Sequence, residues 1–182
     1  MRLESERIYL RPLCELDAPI ILESTMDKEI RYMTGTKPTF SLDQIKKHIE
    51  NINNDSSRYD FAICLKGNDE MIGELSILNI DEENQKAGFR ISMLSIALTG
   101  QGYGTEAIKI VLRFVFEQLT LNRLQLEVFS HNLRGIKAYE KVGFVKEGTL
   151  RQSLFYNDTY SDEIIMAILK SNYIETFVND CT

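Results

Sequence analysis

Proline is scarce in this chain of 182 residues: only Pro12, Pro19 and Pro38 occur, all before position 40. Everything downstream is free to run through regular elements with little interruption. Cysteine is equally sparse. Cys14, Cys64 and Cys181 are odd in number, far apart and form no Cys-x-x-Cys pair, which excludes a disulfide framework and predicts reduced thiols of a cytoplasmic protein. No apolar run approaches about eighteen residues, so none is expected to span a membrane. The opening "MRLESERIYL" carries charges at Arg2, Glu4, Glu6 and Arg7, which leaves no apolar segment of signal-peptide length. Positive charge is in the minority, with 21 basic against 27 acidic residues and a formal net charge of -6. That balance disfavours a nucleic-acid binder held by phosphate contacts and suits a cationic partner.

What is present is ordinary for a globular fold, with 43% apolar and 26% charged residues, and the length predicts a single domain over residues 1–182. "RIYLRPL", 7–13, is expected to be a first strand ended by Pro12. "ELDAPIILEST" has helical character, with Pro19 in its first turn. Ser41 and Gln44 form a capping box for a second helix running to about Ile52. The period then changes. Tyr59, Phe61, Ile63 and Leu65 alternate with polar or small residues, Met71 to Ile80 follows after "KGNDE", and Ala87, Phe89, Ile91 and Met93 alternate after "DEENQ". Such spacing predicts an antiparallel meander of three strands. From Ala107 to Leu119 nearly all residues are apolar, except a stripe of Glu106, Lys109, Arg113 and Glu117, so a largely buried helix is expected to lie on the sheet. "RLQLEVF", 123–129, is another strand. Asn132 caps a short helix through Val142, with Gly143 after its C-terminus. Phe144 to Tyr156 and Thr159 to Leu169 form a hairpin around "YND". The sum is an α+β architecture on one mixed, mostly antiparallel sheet of about seven strands flanked by about four helices.

"TGQGYGTEA", 99–107, places glycines at 100, 102 and 104 directly before the long helix. One reading is a strand-to-helix turn that needs glycine only for its backbone angles. A second is a dinucleotide-binding turn, with Glu127 near the place of a ribose-binding acid. The third glycine is misplaced for that fingerprint, and the preceding strand belongs to an antiparallel meander, not to a parallel unit. A phosphate loop of the Gly-x-x-x-x-Gly-Lys-Ser/Thr type fails, having no lysine there. The third reading is a nest of backbone N–H groups at a helix N-terminus that takes a pyrophosphate, such as that of coenzyme A.

"TGQGYGTEA" resembles the Arg/Gln-x-x-Gly-x-Gly/Ala loop of the GNAT superfamily of acetyltransferases. "NLRGIKAYEKVGFVKEGTLRQ" is similar to that superfamily's segment with Asn132, Tyr139, Gly143 and Phe144 in register. "ERIYLRPLCELDA" and "YNDTYSDEIIMAIL" resemble the branch of ribosomal-protein N-terminal acetyltransferases and spermidine acetyltransferases. The resemblance covers essentially the whole chain. It implies a GNAT fold and an N-acetyltransferase that moves an acetyl group from acetyl-CoA to a primary amine by direct attack in a ternary complex, with no metal. Protein N-termini, polyamines and small amines all stay open as acceptors. Nucleic acid and membrane are not implied as partners, while a homodimer is, since relatives are often dimers. A catalytically silent acyl-CoA-binding module is the alternative, and a dinucleotide enzyme a distant one.

The resemblance assigns Thr99, Gly100, Gln101, Gly102, Tyr103, Gly104, Thr105 and Asn132 to cofactor binding. It makes the strand ending at Ser92, Met93 and Leu94 the partner of the pantetheine arm and the source of an N–H for the thioester carbonyl. Tyr139 is the implied acid for the leaving thiolate. Three positions depart from the family: Thr99 stands where Arg or Gln is usual, Gly135 where alanine is, and Gly88 where many relatives carry a glutamate. The general base is therefore Glu74 or a water chain, although a strand glutamate is ordinarily an exposed one. A lysine-like amine costs about 4.6 kcal/mol to deprotonate at pH 7 and an α-amine about 1. His131 and Ser130 are chain neighbours on extended backbone and point opposite ways, which excludes a dyad.

Overall fold

The computed structural model describes residues 1–178; Cys181 lies outside them. The chain runs β1 (Leu3–Glu4), β2 (Ile8–Pro12), a 3-10 turn (Glu15–Asp17), α1 (Ala18–Ser24), α2 (Lys28–Thr34), α3 (Leu42–Asn53), β3 (Tyr59–Leu65), β4 (Met71–Asp81) and β5 (Lys86–Met93). It continues through a second 3-10 turn (Ile96–Leu98), α4 (Tyr103–Arg113), a π turn (Phe114–Gln118), β6 (Arg123–Phe129), α5 (Leu133–Lys141), β7 (Val145–Tyr156), β8 (Thr159–Leu169), α6 (Lys170–Tyr173) and a closing π turn (Ile174–Val178). The eight strands lie in one sheet in the order β1-β2-β3-β4-β5-β6-β8-β7. All neighbours are antiparallel except β5 and β6.

Two counts differ from the sequence-based expectation. The sheet gains the two-residue β1, too short to show a period, and the helices gain α2 and α6. α2 had a legible frame, with Asp27 accepting from the Glu29 and Ile30 N–H groups and Gly35 left-handed at its end. Its few apolar residues gave no helical stripe to detect. A further correction concerns the meander. β5 is its last strand, yet it also pairs in parallel with β6 through the α4 crossover. A doubly wound sheet still does not follow, because β6 next meets the antiparallel β8.

Alternation distributes the two faces. Leu10, Phe61, Ile63, Leu75, Ile77 and Phe89 form one core with α4 and α5, whereas Tyr9, Leu13, Ala62, Cys64 and Leu94 pack under α1 and α3. The predicted caps are in place: Ser41 and Gln44 bond reciprocally, Asn132 Oδ1 accepts from Gly135 N at 2.9 Å, and Gly143 has φ +98°. Asn157 and Asp158 turn the last hairpin with both φ angles positive, the twist that matches the strands.

Candidate active site

β5 and β6 pair only over Lys86–Gly88 and Arg123–Gln125. Beyond Gly88 the two strands part, and a cleft of about 710 Å³ opens through the sheet. Its floor is the free edge of β5. Leu94 N donates to Ile72 O at 3.0 Å, so N–H groups of Leu94, Ser92 and Arg90 turn toward β4. Antiparallel alternation then turns those of Met93 and Ile91 into the opening.

On one side the glycine loop leads into α4. Gly100 and Gly102 have φ of +74° and +86°, backbone that side chains avoid. Gly104 is helical, and a Cβ there would meet only Met93 Sδ, at 4.0 Å. Its bareness thus answers neither strain nor packing. The N-termini of α2, α3 and α5 are closed by side chains of Asp27, Ser41 and Asn132, but α4 begins at Gly102 with no side-chain cap. Its first N–H groups and the positive end of its dipole therefore face open space beside the cleft. Glu106 is held away: its carboxylate accepts from Ser5 Oγ at 2.6 Å and Arg7 Nε at 2.7 Å. Burial alone would raise the Glu106 pKa, yet those bonds bring it below the ordinary value.

On the other side α5 presents Arg134, Lys137, Ala138, Tyr139 and Lys141. Arg134 Nη1 donates to Thr99 Oγ1, which itself donates to Ile96 O at 2.6 Å. Gly135 leaves room for the cap, because a Cβ there would lie 2.8 Å from Asn132 Nδ2. Tyr139 is 8% exposed, packs on Phe144 at 5.8 Å, and its hydroxyl bonds no described protein group. Burial pushes its pKa up to about 12.

The cleft brings together Ser92, Met93, Thr99, Gly100, Gly102, Gly104, Thr105, Asn132 and Tyr139. Leu94, Gln101 and Tyr103 stand apart from its lining. Leu94 is buried under α1 and α3, Gln101 Nε2 reaches back to Ala97 O at 2.9 Å, and the Tyr103 ring lies under Arg7 at 4.7 Å. Gly88 offers little space for a carboxylate, since a Cβ would touch Leu78 at 3.3 Å.

Glu74 is not an exposed strand glutamate. It is half-buried on β4 directly across from Ser92, on the face toward α1 and α3. Burial lifts its carboxyl above the usual range, Arg90 pulls it down, and Asp60 and Asp17 push it up. His131 does not engage Ser130. Its Nε2 meets Tyr32 O at 2.8 Å and must carry the proton, Nδ1 meets Ser161 Oγ at 2.9 Å, and the ring stacks on Tyr32 at 4.0 Å. It thereby ties α2 to the end of β6, bringing Ile30 and Met33 into the lining. Partners 30 and 99 positions away leave no local trace in the sequence. The cations of α5 did leave one: 134, 137 and 141 share one helical face.

A family model described as an acetyltransferase (GNAT) domain matches residues 7–145. The chain belongs to the GNAT family. This GNAT chain is 26% identical over 170 residues to spermidine N(1)-acetyltransferase of Vibrio cholerae, covering 93% of this chain and 97% of that protein. It is 29% identical over 175 residues to the protein named probable N-acetyltransferase YjcK of Bacillus subtilis, covering 92% and 96%. Among solved structures, the spermidine N-acetyltransferase of Vibrio cholerae in complex with CoA and spermine superposes with a TM-score of 0.85 at 26% identity, over 92% of this chain and 98% of that one. The GNAT chain is an acetyl-CoA-dependent N-acetyltransferase. Among the described residues no group of three or more His, Cys, Asp or Glu is arranged to hold a metal. No described helix is long and apolar enough to cross a membrane.

Proposed function

We propose that this cleft transfers the acetyl group of acetyl-CoA directly to a primary amine within a ternary complex. The observation that carries the reading is the uncapped start of α4 sharing one cleft with the unpartnered Tyr139 hydroxyl. The glycine loop and the first α4 amides, reinforced by Arg134, Lys137 and Lys141, suit the phosphates. The Met93 and Ile91 N–H groups suit the arm between phosphate and thioester.

The amine nitrogen attacks the thioester carbon, a C–N bond forms, and the carbonyl electron pair moves onto oxygen. Backbone N–H groups of β5 stabilise that oxyanion, a donor worth about 3–4 kcal/mol when lost elsewhere. As the C–S bond breaks, Tyr139 gives its proton to sulfur. A phenol raised to about 12 stays protonated at neutral pH and yields its proton only to a strong base. The departing thiolate is one, because the same dry surroundings raise its proton affinity. The surplus proton of the amine leaves through Glu74 or water, and water returns a proton to the Tyr139 phenolate.

The chain acts as one domain around its sheet. Exposed Val145, Leu150, Phe155 and Tyr160 on the outer hairpin suit a second copy of the chain. The free thiols Cys14 and Cys64 suit the reducing cytoplasm. Thiol release from acetyl-CoA against a panel of amines tests the transfer. Coenzyme A binding without turnover of any amine would instead mark a silent acyl-CoA-binding module.

A further inference from the structure

The acceptor side of the cleft is short of negative charge. No side chain lining the cleft is a carboxylate, and the cations Arg134, Lys137 and Lys141 stand on the α5 wall assigned to the phosphates. The stretch 28–42, which forms α2 and the turn after it, carries Lys28, Arg31 and Lys37 against Glu29 alone. Carboxylates do lie on the sheet face under α1 and α3, but they are engaged. Asp17 takes both ends of the Arg11 guanidinium at 2.7 and 2.8 Å and the Cys14 N–H at 2.9 Å. Asp60 takes the Arg58 guanidinium at 2.6 and 2.7 Å and the Ser76 hydroxyl at 2.6 Å.

Glu74 differs. It makes no hydrogen bond or ion pair with a described residue, although every fully buried side-chain N or O among them has a partner. Its oxygens therefore reach open space, one strand from Ser92 in the cleft lining. Ile30 and Met33 of α2 add apolar side chains to the cleft lining that includes Ser92.

A polyamine brings two or more cations, each of which needs a partner once water is stripped away. Next to Ser92 of the lining, the adjacent strand carries one unengaged carboxylate, Glu74. We propose that the acceptor is an amine bearing a single positive charge on an apolar body, received by Glu74, and that polyamines are poor acceptors. The proposal rests on reading the cleft as the acetyl-transfer site. An α-amine followed by an apolar side chain and a small apolar monoamine share the required chemistry.

The test compares thiol release from acetyl-CoA with a leucine-initiated peptide, phenethylamine and spermidine. Both monoamines are expected to exceed spermidine at least about tenfold in kcat/KM, and their ratio tells peptide from small amine. Glu74→Gln is expected to lower kcat/KM for the better monoamine about tenfold or more, with the coenzyme A Kd and the far-UV spectrum unchanged. Spermidine turnover equal to or faster than the monoamines, or an inert Glu74→Gln, overturns the proposal. Calorimetry with phenethylamine and the coenzyme A-loaded protein separates the two readings: binding weakened by Glu74→Gln, without turnover of any amine, keeps the acceptor assignment and defeats acetyl transfer.

Discussion

Arg134 donates to Thr99 Oγ1 from the opposite wall of the cleft. Thr99 departs from the Arg or Gln that the loop's resemblance implies, and here a guanidinium reaches Thr99 from α5. Arg134→Ala is expected to raise the KM for acetyl-CoA about tenfold while kcat stays within about twofold, the value of one charge-assisted phosphate contact. Steady-state kinetics at low and high salt checks it, the defect being larger at low salt.

Tyr139→Phe removes a hydroxyl that bonds no described protein group, so the fold loses no hydrogen bond there. kcat is expected to fall about a hundredfold or more, the usual share of a positioned acid. The melting temperature and coenzyme A Kd stay near those of the parent. An unchanged kcat excludes Tyr139 as the acid.

The loop glycines separate by experiment. Gly102→Ala forces a side chain to φ +86° beside Arg7 Nη2 at 3.2 Å. About 1–2 kcal/mol of stability should be lost, or roughly 2–8 °C in melting temperature. Gly104→Ala should leave stability unchanged or gain up to about 1 kcal/mol as a helical substitution, yet weaken coenzyme A binding. Thermal melts paired with calorimetry distinguish the two behaviours.

Glu74 titrates above the ordinary carboxylate range because burial penalises its anion; Arg90 opposes this and Asp60 and Asp17 add to it. Its protonated form therefore favours the fold, a contribution complete below the unfolded value of about 4.3 and lost as pH rises through the folded one. Glu74→Gln is expected to melt above the parent at pH 8 and to converge with it near pH 4. The neighbouring Arg11, Asp17, Arg58, Asp60, Arg90 and His48 are common to both proteins, so the difference isolates Glu74.

Period and caps made most of the fold legible. β6 and β8 begin and end where alternation placed them, and α3 and α5 begin after Ser41 and Asn132 as their capping patterns required. The glycine loop and the Asn132-to-Phe144 segment also foretold which walls would meet. What stayed hidden depends on partners distant in sequence. Nothing local to Leu94 says that its N–H is spent on Ile72, nothing near His131 announces Tyr32, and burial of Glu74 requires the helices above it. α2 was passed over because only three of its seven residues, Ile30, Tyr32 and Met33, are apolar.

In the sheet ladder β1–β5 meet β6–β8 only at the Lys86–Gly88 and Arg123–Gln125 pairs, with the Asn122 and Arg123 N–H groups donating to Gln85 O beside them. The sheet is thus two plates joined in the ladder at one corner, and along the seam above Gly88 the plates share no ladder bond. Whatever occupies the seam bridges both plates, so its arrival stiffens the molecule far beyond the residues it touches. Amide exchange in β7, well away from the cleft, should slow on coenzyme A binding along with that of Ile91 and Met93.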